Sequence, residues 1–164
     1  MTAADTHPAT PERTLAQAVM DVRYGYHYGA LNERAWQHID TACAVVGAVG
    51  GSAAVAGVLA ASPMLSLVAG VAMGTVSMLQ LVLRPGARAV EFRDAKRAFA
   101  ALDARAWQMP LADLDAELTT LQAHAPTGLA GLAMPAHNAN VSAIGREDCR
   151  RALSRWERWM LLLA

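Results

Sequence analysis

The chain has 164 residues, 54% of them hydrophobic and only 5% aromatic, with formal net charge zero. That length fits one domain, and the absence of a basic excess argues against a nucleic-acid binder, whose affinity rests on a cationic surface. Cys43 and Cys149 lie far apart and join no Cys/His cluster, so neither a disulfide framework nor a zinc site is expected.

Residues 1–9 are polar and carry no basic stretch followed by an apolar core, which predicts a disordered tail and no export signal. Thr10-Pro11-Glu12 resembles an N-cap with proline at the first helical position, and predicts a cytoplasmic helix over 10–38 that leads into a first span. Its apolar stripe is Leu15, Val19, Val22 and Tyr26. Trp36, with Tyr24, Tyr26 and Tyr28 before it, sits where an interfacial aromatic would anchor the next segment.

Between Asp40 and Arg84 there is no Asp, Glu, Lys, Arg or His. A soluble helical pair would place polar residues every few positions on its wet face. The run divides at Ser62-Pro63, since proline cannot continue one helix yet is tolerated in the first turn of the next. Transmembrane helices over 39–61 and 64–83 follow. At ~1.5 Å rise per residue each is ~30–35 Å long, matching a hydrocarbon core of ~30 Å. With so short a tip they must be antiparallel neighbours. The alternative is a helical hairpin buried inside a soluble oligomer. Arg23 and Arg34 precede the pair, Arg84, Arg88, Arg93, Lys96 and Arg97 follow it, and the tip is uncharged. Basic residues collect on the cytoplasmic side, so both termini are expected in the cytoplasm of a bacterial cell, with the hairpin in its inner membrane.

Small residues recur at four-residue spacing in this stretch: Gly47 and Gly51, Gly57 with its alanine neighbours, Ser66, Gly70 and Gly74. Lipid supplies no hydrophobic drive between helices, so association depends on close backbone approach at such positions. One row suffices for the hairpin, and another is available for a homo-oligomer. Asp40 and Gln80 are the polar side chains near the cytoplasmic boundary, where they would edge a pore or simply be solvated, Asp40 against Arg84.

Beyond Pro85, helices are expected over 86–124. Phe92, Ala95, Phe99, Leu102 and Ala106 form one stripe and Leu111, Leu114, Leu118 and Leu121 the next. Residues 125–145, rich in Pro, Gly and Asn, predict a loop with short helical turns around 134–140. His137-Asn138 reads as a structural pair, with no acid or nucleophile at a recognisable spacing. Residues 146–164 predict an amphipathic helix with Cys149, Leu153, Trp156, Met160 and Leu163 on one face and arginines opposite. That face, with Trp159 beside it, suits either an anionic membrane surface or docking onto the other cytoplasmic helices.

The order of these elements resembles a known group. Asp21-Val22-Arg23-Tyr24 leads into a two-span hairpin, and Ala95-Lys96-Arg97-Ala98-Phe99-Ala100-Ala101-Leu102 follows it directly. The chain looks like the SLATT group of bacterial two-transmembrane proteins and its small proteobacterial relatives. These share a His-Asn…Gly element (His137, Asn138, Gly145) and a C-terminal Arg-Trp (Arg155, Trp156), a likeness running from about Asp21 to Trp159. The resemblance implies a pore-forming effector of bacterial conflict or phage defence, dependent on a separate cytoplasmic sensor.

The expectation is therefore an all-α membrane protein, a two-span hairpin with cytoplasmic helical extensions. Its partners are the lipid bilayer, further copies of itself and a cytoplasmic protein. No enzyme activity or cofactor is expected, because no acid pair, metal cluster, nucleophile-base set or phosphate-binding glycine loop is present. The alternative function is a membrane-anchored scaffold or phage-type superinfection-exclusion factor working through the cytoplasmic helices.

Overall fold

A computed structural model describes residues 13–50, 52 and 62–164. Every regular element among them is helical: α1 (Leu15–Gly50), α2 (Pro63–Leu83), α3 (Pro85–Ala106), α4 (Leu111–His124), α5 (Ala133–Ala143) and α6 (Arg155–Leu162), with 3-10 turns at Ala130–Leu132 and Glu147–Cys149. The expected tail over 1–9 and the Thr10-Pro11-Glu12 cap lie outside the described residues.

The start of α1 is set by Thr14. Its hydroxyl accepts from the Gln17 amide at 3.3 Å, while the Gln17 side chain accepts from the Thr14 amide at 2.9 Å. This reciprocal capping box opens α1 at Leu15. From there α1 runs 36 residues without a break, ~54 Å at ~1.5 Å per residue.

The chain then returns antiparallel along α1 in one constant register. A Cβ on Gly25 would lie 2.6 Å from the Phe99 ring, one on Gly29 3.3 Å from Lys96, and one on Gly86 3.3 Å from the Asp40 carboxylate. Gly50 stands against Met73. Each facing pair is centred, to within about a residue, on Ser62-Pro63. Glycine inside a helix costs ~1 kcal/mol against alanine; at Gly25 and Gly29 it lets the α3 side chains come close.

Arg84 joins α2 to α3 in a left-handed conformation (φ 47°, ψ 56°), its amide still donating to the Gln80 carbonyl at 3.1 Å. Pro85 occupies the first position of α3, where a missing N–H costs nothing.

Three clusters hold together the part of the hairpin remote from Ser62-Pro63. Val19 and Val22 of α1 meet Phe99, Leu102 and Ala106 of α3 and Leu114 and Leu118 of α4. Trp36 packs with Ala89 and Phe92. On another side of α1, Leu31 and Ala35 receive Leu132, Ala136 and Met160 from the C-terminal region. Each fully buried leucine or phenylalanine contributes about 1.5–3 kcal/mol.

The C-terminal third departs from the expected loop followed by one long helix. Residues 133–143 are helical, Pro135 being tolerated in the first turn. Asn138 and Asn140 lie inside that helix because their side chains bond to other elements rather than compete for the local backbone. The helix predicted over 146–164 is restricted to Arg155–Leu162. Asn138 takes both backbone groups of Arg151, donating to its carbonyl at 2.8 Å and accepting from its amide at 2.9 Å. That grip holds the chain non-helical at Arg151, and the capping box of Ser154 and Glu157 restarts it.

Candidate functional surfaces

The first surface is α2. None of its residues is buried, although Leu65, Leu67, Val68, Val71, Met78, Leu81 and Val82 are all more than half exposed. Among the described residues one helix, counted through from Pro63 to Ala106, is long and apolar enough to cross a membrane, and none of its apolar window is buried. Of the predicted first span, residues 39–50 continue α1, with Val45, Val46 and Val49 exposed and Cys43 buried; most of the remainder, with Gly51 and Gly57, lies outside the described residues.

The predicted small-residue rows are only partly used within the chain. Among the described residues, a Cβ on Gly47, Gly70 or Gly74 would meet nothing within 4 Å. Ser66 is on the exposed surface of α2. One close α1–α2 approach seats Met73 against Gly50.

Where the apolar stretch ends, Asp40 lies against Gly86 in the first turn of α3, not against Arg84. A carboxylate at a helix N-terminus is favoured by the helix dipole. Gln80 is exposed one turn before Arg84. Trp36 does not present its ring outward: it is 8% exposed, packed on Ala89 and Phe92, and its indole N–H has no hydrogen-bond partner among the described residues.

Just below this level is a charge cluster that the sequence pattern did not reveal. Glu33, 7% exposed, accepts from Arg93 Nε at 2.9 Å and from the Lys96 ammonium. Burial alone pushes the Glu33 carboxyl up, but hydrogen bonds from Lys96 and then Arg93, reinforced by their charges, hold it below the ordinary carboxylate value. Arg23 and Asp103 pair at 3.0 Å further along the same α1–α3 seam.

The third region is the C-terminal segment. Asn32 of α1, fully buried, donates to the Tyr28 carbonyl at 2.9 Å and accepts from the Leu129 amide at 2.8 Å. His38 Nδ1 donates to the Leu163 carbonyl at 2.7 Å. Of the predicted C-terminal face, Met160 is buried on protein, Leu153 is half-buried, and Trp156 and Trp159 are exposed. Cys149 is exposed in its own turn and shares no helix face with them.

No group of His, Cys, Asp and Glu among the described residues is arranged to hold a metal ion. A cleft of about 140 Å³ between α1, α3 and the segment after α4 is lined mainly by Tyr24, Tyr28, Phe92 and Phe99, with Asp21 and Gln122 at its edge. His137 has no acid or nucleophile bonded to it among the described residues. Compared with protein-family models, curated proteins and solved structures, the chain matches none.

Proposed function

We propose that the chain is a bacterial inner-membrane protein that crosses the bilayer twice as a helical hairpin, with both termini in the cytoplasm. In this reading it is a non-enzymatic effector related to the SLATT group. Its hairpins oligomerise and permeabilise or perturb the membrane when a cytoplasmic sensor or ligand triggers them.

The observation that carries the reading is the contrast between two stretches of one hairpin. The α1–α3 part is sealed by a core and ion pairs, whereas α2 buries none of its residues fully. In water such a surface drives aggregation; lipid removes the cost. The constant register centred on Ser62-Pro63 supports a second crossing antiparallel to the first. That none of the described residues stands against Gly47, Gly70 or Gly74 supports further helices packing there.

Induced expression with a potential-sensitive dye tests the activity. Depolarisation and growth arrest on triggering are expected. Intact potential, with the protein demonstrably in the membrane fraction under every trigger tried, would favour the scaffold or exclusion-factor reading, in which the cytoplasmic helices hold a partner.

A further inference from the structure

We infer that α6 is a lipid-contacting foot: its outer face lies on the anionic surface of the same membrane leaflet. The inference rests on the proposed bilayer position of the hairpin. Met160 points into the core, so the opposite face of α6 carries Arg155, Arg158, Trp159 and Leu162, which line one open groove. Trp159 is 68% and Leu162 76% exposed. Tryptophan and leucine beside arginine form the combination that enters an interface while its cations meet lipid phosphates.

Height and charge fix the occupant. The bond from His38 to the Leu163 carbonyl sets the C-terminal end of α6 at the level where the uncharged stretch of α1 begins. Most cations of the chain are committed to carboxylates: Arg13, Arg23, Arg88, Arg93, Lys96, Arg97, Arg105, Arg146 and Arg150 all form ion pairs. Arg155 and Arg158 have no carboxylate partner among the described residues; neither do Arg34 and Arg84, which flank the apolar stretch, nor Arg151 in the non-helical segment before α6. Arg34 and Arg84 thus stand uncompensated beside the apolar stretch and Arg155 and Arg158 on the outer face of α6, where an anionic headgroup is their natural counterion.

The test uses the full chain with Cys43→Ser, Cys149→Ser and Leu162→Cys, an environment-sensitive dye on the new thiol, and vesicles of equal parts phosphatidylcholine and phosphatidylglycerol. Flotation with the vesicles reports the hairpin; quenching of the dye by spin-labelled lipid reports the foot. Lipid quenching that falls about fivefold for each of Arg155→Gln and Arg158→Gln supports the proposal. Flotation with a dye quenched by aqueous iodide and not by lipid overturns it while leaving the hairpin intact, as does shielding that disappears on dilution and so reports another protein. A chain that does not float overturns both. In the unmodified protein, brominated lipid must quench more tryptophan emission in the anionic vesicles than in pure phosphatidylcholine; equal quenching also overturns the proposal.

Discussion

Glu33 and Arg93, 60 positions apart in the chain, meet across the α1–α3 seam with the guanidinium Nε 2.9 Å from the carboxylate. Lys96 closes on the other oxygen. Because Glu33 is buried while both cations keep part of their surface in water, the acid depends on them more than they depend on it.

Glu33→Gln is expected to destabilise the α1–α3 packing by about 1–3 kcal/mol, since it leaves a partly buried ammonium and guanidinium without their counter-charge. Thermal unfolding of the full chain in detergent checks this. A change within error would mean that solvent screens the pair completely.

The same residue sets an acid sensitivity with a definite sign. Its folded carboxyl titrates below its unfolded value, so its stabilisation is complete above the unfolded value and is lost as pH falls through the folded one. The stability difference between the protein and Glu33→Gln is therefore widest near neutrality and closes towards the acid end. Denaturation midpoints that stayed parallel across that range would contradict the assignment.

Asn138→Asp tests the grip on the C-terminal segment. Aspartate can still accept from the Arg151 amide, but it no longer donates to the Arg151 carbonyl and turns a carboxylate oxygen towards it. A loss of about 1–3 kcal/mol at this contact is expected. Faster trypsin cleavage after Arg150 and Arg151 is the readout, and unchanged cleavage would show that the remaining contacts, Met160 in the core and His38 on Leu163, hold the region without it.

Periodicity made much of this architecture readable, because Val19, Val22, Phe92, Phe99, Leu102, Leu114 and Leu118 repeat at helical spacing and all are buried. It could not show that Asn138 reaches across to Arg151, since a side chain bonding to distant backbone leaves no periodic trace. Ser154-Arg155-Trp156-Glu157 did carry a readable capping signature, and so did Thr14-Leu15-Ala16-Gln17. The Glu33 cluster was within reach as well. Reflecting Glu33 or Arg23 through Ser62-Pro63 lands beside Arg93 and Asp103, the partners observed. Trp36 was misjudged because a tryptophan near an apolar run suits an interface and a core equally well, and only the small Ala89 opposite it decides for the core.

The native cysteines offer a topology test. Cys149 is exposed and Cys43 is buried beside the apolar surface. With both termini in the cytoplasm, a membrane-impermeant maleimide labels Cys149 in inside-out vesicles and not in intact spheroplasts, and reaches Cys43 in neither. Equal labelling of Cys149 in spheroplasts would reverse the orientation and break the proposed coupling to a cytoplasmic trigger.

The glycines separate packing within one chain from packing between chains. At Gly25 a methyl group would come within 2.6–2.8 Å of Phe99 ring atoms, and that ring is 5% exposed with little room to move. Gly25→Ala gains ~1 kcal/mol of helix propensity but costs about 1–3 kcal/mol in overpacking, so it should destabilise the chain or at best leave it unchanged. Gly70→Leu and Gly74→Leu add larger side chains where none of the described residues stands within 4 Å of a Cβ, so the α1–α3 core should unfold as before. If hairpins associate through this row, the same substitutions block backbone approach and lower the self-association of the full protein. Energy transfer between differently labelled copies in one bilayer measures that directly. Unchanged transfer in both leucine variants would remove the row from the interface and leave the oligomer to be sought on the α1 side.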